Sequence, residues 1–225
     1  MKDWILYEDN HIIIVNKPPR IPVQGDKTGD TTLLDIGKEY IKKEYNKPGN
    51  VYLGLPHRLD RPTSGIVILS KTSKSLSRIT ELFREKKIKK TYWAIVKEKL
   101  KTDNGTLINF LKKNKKINKS FVSENSQTGF LKSELKYQLL KKLDNYFLYE
   151  INLITGRHHQ IRVQLSHINS PIKGDVKYGS RRTNKNGSIH LHSRCIEFIH
   201  PIKKDKMLII APPPKNDPIW ESCIK

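Results

Sequence analysis

Ile66-Val67-Ile68-Leu69 is an unbroken apolar run, mostly β-branched, and reads as a buried strand. The residues before it have the opposite character. Pro56-His57-Arg58-Leu59-Asp60-Arg61-Pro62-Thr63-Ser64-Gly65 sets one carboxylate, Asp60, in a polar turn between two arginines. A fold that buries the run must bring this turn to the end of a covered strand. There the acid is held rigidly while its head group can still reach a pocket. Far along the chain, Gly156-Arg157-His158-His159-Gln160-Ile161-Arg162 forms a second compact polar block with a candidate cationic partner, Arg162.

Around these blocks the chain shows an α+β pattern. Trp4–Tyr7 and His11–Val15 read as short strands about the turn Glu8-Asp9-Asn10. Asn16-Lys17-Pro18-Pro19-Arg20-Ile21-Pro22 cannot be regular, because its prolines lack donors and have fixed φ. Thr32–Tyr45 is predicted helical, with Leu33, Gly37, Tyr40 and Ile41 on one face. Ser73–Lys87 is a second helix, capped by Ser73, with Leu76, Ile79, Leu82 and Phe83 inward. Strands are expected at Thr91–Val96, Ser133–Leu140, Tyr146–Ile154 and within Ile189–Ile210. Asp103-Asn104-Gly105 reads as a turn, and the lysine-rich segment Lys112–Lys119 as a hairpin tip, either solvated or touching RNA. Ile161–Leu165 fits strand alternation as well as a helical face with Ile168; helix is chosen. No long linker appears. The expectation is one domain, 1–225, with room for two small lobes.

Composition narrows the partners. A net charge of +21 favours a polyanion, because cations that neutralise phosphates release condensed counterions. Lysine as the ordinary surface residue explains part of that excess. It does not explain why Arg20, Arg58, Arg61, Arg157 and Arg162, among only ten arginines, fall in the candidate motifs. Lysine cannot replace a planar, permanently charged fork. Cys195 and Cys223 make no disulfide framework. No apolar stretch approaches the roughly 18 residues of a membrane span, and Met1–Trp4 lacks a signal-peptide pattern. The reading is a cytoplasmic protein without a membrane partner.

Taken alone, a carboxylate between two arginines is ordinarily a surface ion pair worth ~0–1 kcal/mol. The neighbouring Thr63-Ser64-Gly65, suited to a tight hydrogen-bonded turn, and the second polar block argue otherwise. Together the two blocks resemble the signatures of the RluA-type RNA pseudouridine synthases. The resemblance extends to Lys17-Pro18, Lys89-Lys90-Thr91-Tyr92, Gly174-Asp175, Tyr178-Gly179, Leu191-His192-Ser193 and His200-Pro201. It implies a pseudouridine synthase fold: a central, mostly antiparallel mixed sheet with flanking helices and a catalytic cleft. It implies Asp60 as the catalytic aspartate, Arg162 as its partner, Tyr92 against the target uracil and Arg58 in the space of a flipped nucleotide. Thr63 and Arg157 join the substrate-binding set. Lys17 is most simply a phosphate contact, while His57, His159 and Gln160 belong to the substrate-binding loops, the histidines ordering them by hydrogen bonds. The isomerisation transfers no external group, so no cofactor or metal is expected.

Two departures from the family pattern stand out. Lys17–Gln24 lacks the small residue and glycine usual after Lys-Pro and has Gln24 where histidine is common, and His158 replaces a smaller residue. Many relatives also carry an N-terminal S4-type RNA-binding domain; here the resemblance begins by His11, so none is expected. The function implied is isomerisation of specific uridines in structured RNA, ribosomal or transfer, by a monomer. The rivals are a catalytically idle RNA-binding protein of the same fold and a metal-dependent hydrolase. Adjacent His158-His159 lacks the i, i+4 spacing that places two ligands on one helical face.

Overall fold

The computed structural model describes residues 1–25 and 29–224. Among them are ten strands and four α-helices. In chain order these are β1 (Ile5–Glu8), β2 (Ile12–Lys17), α1 (Leu33–Glu44), β3 (Ser64–Ser70), α2 (Ser73–Arg84), β4 (Lys89–Val96) and β5 (Asn104–Asn114). There follow β6 (Lys119–Ser123), β7 (Leu131–Lys142), β8 (Phe147–Leu153), α3 (Gln160–His167), β9 (Leu191–Ile199), β10 (Lys206–Ile210) and α4 (Pro218–Ile224). The fold is α+β with mostly antiparallel pairing, as the sequence implies. The chain divides into two compact units. One comprises Met1–Ile88 with Ser193–Pro213; the other comprises Lys89–His192 and the segment from Pro214.

In the first unit, β1, β2 and β3 are successive antiparallel neighbours, with Ile14 opposite Ile68 and Lys17 opposite Gly65. Every residue of β3 is buried. Ile12, Ile14, Ile66 and Ile68 pack with Ile79 of α2, Ile196 and Phe198 of β9 and Met207 of β10. Each aliphatic side chain so buried contributes about 1.5–3 kcal/mol. Helix α1 opens on a capping box, in which Asp35 N–H donates to Thr32 Oγ1 (3.1 Å) and Thr32 N–H to Asp35 Oδ2 (3.0 Å).

Helix α2 corrects two details. Its cap is Thr72, whose hydroxyl accepts from Ser75 N–H (3.1 Å), so Ser73 is already the first helical residue. It also ends at Arg84 rather than Lys87. Lys86 adopts φ +57, and Lys87 N–H reaches back to Leu82 O (2.9 Å) and Lys86 N–H to Phe83 O (3.2 Å). That is a Schellman stop with lysine in the position usually given to glycine.

In the second unit the strand order is β4-β8-β7-β5-β6, antiparallel at each step. Asn104-Gly105 is part of β5, paired with Gln138 and Tyr137, and not the expected turn. A Cβ at Gly105 would meet the Tyr137 hydroxyl at 2.7 Å, so the glycine answers a packing need. Lysines 112–119 do form a hairpin between β5 and β6. The ambiguous Ile161–Leu165 segment is helical, in α3, and packs Val163 against Leu111 and Tyr178. Helix α4, which the sequence reading missed, sets Trp220 against Ile95 and Leu148. Asp217 Oδ1 accepts from Ile219 N–H (3.0 Å) and Trp220 N–H (3.3 Å), with Pro218 as first helical residue.

Candidate active site

The Asp60 turn is built by the first unit. Thr63 N–H donates to Asp60 O (3.0 Å), closing the turn onto the start of β3. His57 reaches under the loop: its Nε2 accepts from Ile68 N–H (2.9 Å), and its ring lies 4.6 Å from that of Phe83. That acceptor role fixes the proton on Nδ1 and makes His57 a brace of the loop. Arg20 and Arg61 clasp each other through the backbone: Arg20 N–H donates to Arg61 O (2.7 Å) and Arg61 Nε to Arg20 O (3.1 Å). Arg61 also pairs with Asp30 at 2.7 Å.

Lys17 is the fastener beneath this clasp. It is fully buried, and its ammonium donates to Pro18 O (3.0 Å), Ile21 O (3.0 Å) and Arg61 O (3.3 Å). Burial pushes that ammonium down to about 7, against the opposing pull of the Asp60 carboxylate. A lysine so enclosed does not meet a phosphate, which corrects the role expected for it. Its charge acts on Asp60 instead and favours the ionised carboxylate. Asp60 itself is half-buried, Thr63 is buried and Arg58 projects from the turn, exposed.

Gly65 follows at φ +111, and a Cβ there would run into the Ser193 backbone. Only glycine lets β3 start in that conformation beside β9.

The second polar block lies in the second unit, at the start of α3. His159 takes φ +53 and begins the helix without a side-chain cap. The Gln160 side chain turns back onto the segment before the helix. Its Oε1 accepts from Arg157 N–H (2.9 Å) and Thr155 Oγ1 (2.9 Å), and its Nε2 donates to Glu134 O (3.1 Å). Gln160 is thus a staple of the turn, while Arg157 is exposed and donates Nε to Lys132 O (3.1 Å).

Arg162, on α3, is buried. Its Nε donates to Asp175 Oδ2 (2.7 Å) and its Nη2 to Asp175 Oδ1 (2.8 Å). The Tyr178 ring lies under the guanidinium, 5.1 Å from its carbon. Burial keeps the Tyr178 phenol protonated. It accepts from Ser120 N–H (2.8 Å), so its proton is available to His159 Nδ1 at 2.8 Å. His158 stacks on His159 with centroids 3.7 Å apart and contacts Ser120 Oγ at 2.8 Å. Tyr92 is buried in β4, with Lys90 two residues earlier on the same strand face. Burial pushes the Lys90 ammonium down.

Sequence reasoning assigned Tyr178 and Ser120 no role, and Asp175 only that of a ligand, with His57, Asp60, His158 and His159, in the rival metal-dependent hydrolase. Two were visible in the sequence as Gly174-Asp175 and Tyr178-Gly179, where Gly174 (φ +88) and Gly179 (φ +101) bracket a tight turn. Ser120 gave no signal. Among the described residues, no three His, Cys, Asp or Glu side chains gather to hold a metal ion. No helix there is long and apolar enough to cross a membrane.

The family model for RNA pseudouridylate synthase matches residues 11–167, more than half of the chain. The chain belongs to that family. Ribosomal large subunit pseudouridine synthase C of Buchnera aphidicola subsp. Baizongia pistaciae (strain Bp) is 38% identical over 221 residues, covering 93% of this chain and 67% of its own. The protein of that description from Vibrio parahaemolyticus serotype O3:K6 is 34% identical over 218 residues, covering 94% and 66%. The chain therefore spans about two thirds of the length of these relatives. Among solved structures, Human RNA Pseudouridylate Synthase Domain Containing 4 superposes with a TM-score of 0.80 at 23% identity, over 99% of this chain and 92% of that one. That likeness bears on the fold.

Proposed function

We propose that this protein isomerises uridine to pseudouridine in structured RNA, with large-subunit ribosomal RNA the first candidate substrate and transfer RNA the second. The observation that carries the proposal is the Asp60 turn within a family match that also covers Tyr92 and the Gly156–Arg162 block. The large-subunit preference follows the names of the curated relatives. The proposed setting is the cytoplasm, and the proposed state a monomer.

In this reading the target uridine first leaves its stack, at a cost of a few kcal/mol. Arg58, which is exposed, fills the vacancy, and Tyr92 packs against the extruded base with ~1–3 kcal/mol of stacking. Asp60 acts as a carboxylate, its charge favoured by Lys17 from below and by Arg162 in the role proposed for it. Three courses fit that role: addition to the uracil ring, attack at C1′, or assistance to departure through a glycal. In each, the N1–C1′ bond breaks and a C5–C1′ bond forms. C5 loses its proton and N1 gains one, so the product is an isomer of the substrate.

The alternative is an RNA-binding protein that has lost activity. The intact bracing of Asp60 argues against it, since a fold relieved of catalysis has no need to bury an ammonium there. The test is pseudouridine mapping of cellular RNA with and without the gene, complemented by wild type and Asp60→Ala. A site lost on deletion and restored only by wild type supports the proposal. Restoration by Asp60→Ala would move the reading to the idle binder.

A further inference from the structure

Helix α3 covers only one face of the β5–β6–β7 array. On that face Leu111, Val122 and Val163 pack together. Strand alternation sends Ile108, Phe110, Lys112 and Phe121 to the opposite face. There Ile108 is 50% and Phe121 45% exposed. Rings and cations face one another across the strands: Phe121 is opposite Lys112, and Phe110 is opposite Lys132. Lys112 Nζ also lies 5.6 Å from the centroid of the Phe130 ring. Lys136 continues the row opposite Thr106. Glu134 is the one acid in the three strands, and Lys132 lies 3.7 Å from it.

We propose that this face docks an unpaired segment of RNA, with bases stacked on Phe121 and Phe110 and phosphates at Lys112, Lys132 and Lys136. Aromatic rings set among lysines on an open sheet suit single-stranded RNA, because every base has a face to stack and every linkage a charge to neutralise. A protein covering the same face would have to desolvate the interleaved ammonium groups. A polyanion neutralises them and releases counterions. The inference rests on the reading that the chain acts on RNA. It adds a contact on strands that hold none of the residues proposed for the chemistry.

The probe is a short uridine-loop hairpin, with and without oligouridine tails at both ends, followed by fluorescence anisotropy across a salt series. Tails should tighten binding to the wild type. Phe121→Ala should weaken binding of the tailed RNA about tenfold, the stacking of one base, and Phe121→Trp should restore it. Replacing Lys112, Lys132 and Lys136 together by glutamine should make the log–log salt slope shallower by about 2, at ~0.7 per phosphate contact. Affinity for the untailed hairpin should stay unchanged in every variant, which also shows that the variants are folded. The proposal is overturned if tails add nothing to wild-type binding, or if Phe121→Ala binds the tailed RNA as wild type does. It is equally overturned if the wild type sediments as a dimer that Phe121→Ala dissociates, which would make the face an interface between copies. Failure of the wild type to bind either RNA would instead remove the RNA reading on which it rests.

Discussion

Asp175→Asn tests whether the arginine of the second block is held as the structure describes. The carboxylate and guanidinium meet through two short charge-assisted hydrogen bonds, with side-chain exposures of 1% for Asp175 and 5% for Arg162. An exposed pair of this kind contributes ~0–1 kcal/mol. Here neither group is hydrated, and removing one partner of a buried pair costs about 3–5 kcal/mol. Asparagine keeps one acceptor oxygen but turns an N–H₂ toward the other donor, so the loss should fall near 3 kcal/mol. For a chain of this size a kcal/mol moves the melting midpoint by roughly 2–4 °C, giving a drop of about 6–12 °C. Urea unfolding should show a lower midpoint at unchanged slope. Arg162→Lys should also destabilise, because an ammonium cannot reproduce the planar fork. A loss below about 1 kcal/mol for Asp175→Asn would mean that the pair is solvated, and the argument from its geometry would fall.

Gly65→Ala should cost more than about 2 kcal/mol in urea unfolding, since it combines φ +111 with a Cβ pressed on the Ser193 backbone; an unchanged midpoint would contradict the structure. Lys17 governs a pH effect whose sign is set by its depressed ammonium, about 7 when folded against 10.5 as its ordinary value. Between those values the unfolded chain binds the extra proton, so stability should rise with pH, by up to ~1.4 kcal/mol per unit, and Lys17→Met should flatten the rise. A wild-type profile already flat from pH 7 to 9 would show that the three carbonyls keep the ammonium charged.

The reading of the sequence was strongest where one kind of pattern sufficed. Ile66–Leu69 could only be a covered strand, and the spacing of Leu33, Gly37 and Ile41 gave α1 to within a residue. It failed where two local signals competed. Asn104-Gly105 has turn chemistry, but the hydroxyl of Tyr137 fills the space beside Gly105, and pairing with β7 outweighs local preference. Threonine and serine at 72 and 73 are both good caps, and only the reciprocal contact of Ser75 with Thr72 decides between them. At the site, Asp60 and Arg162 stood out through their motifs. Asp175 was visible in the Gly174-Asp175 motif, but its pairing was not, because Arg162 lies thirteen positions earlier on a separate element and no periodicity links them.

Lys17 was misread for a related reason, and its true position explains why the Asp60 turn is rigid. It closes β2 opposite Gly65, the second residue of β3, so both loops at this end of the strand pair emerge together. A compact ammonium on a four-carbon stem can meet three carbonyls converging from two such loops; a guanidinium fork cannot. Enclosing the charge is unfavourable, as the drop to about 7 indicates. An apolar residue would avoid that cost but would take this donor from the Pro18 and Ile21 carbonyls, leave Arg61 O with Arg20 N–H alone, and leave Asp60 without a cation beneath it. The first unit thus accepts strain at one point, at the end of its best-packed strands, in return for the fixed position and charge of a single carboxylate. Local violations of otherwise consistent packing are expected where a residue has to do chemistry, and this one falls under the residue proposed to do it.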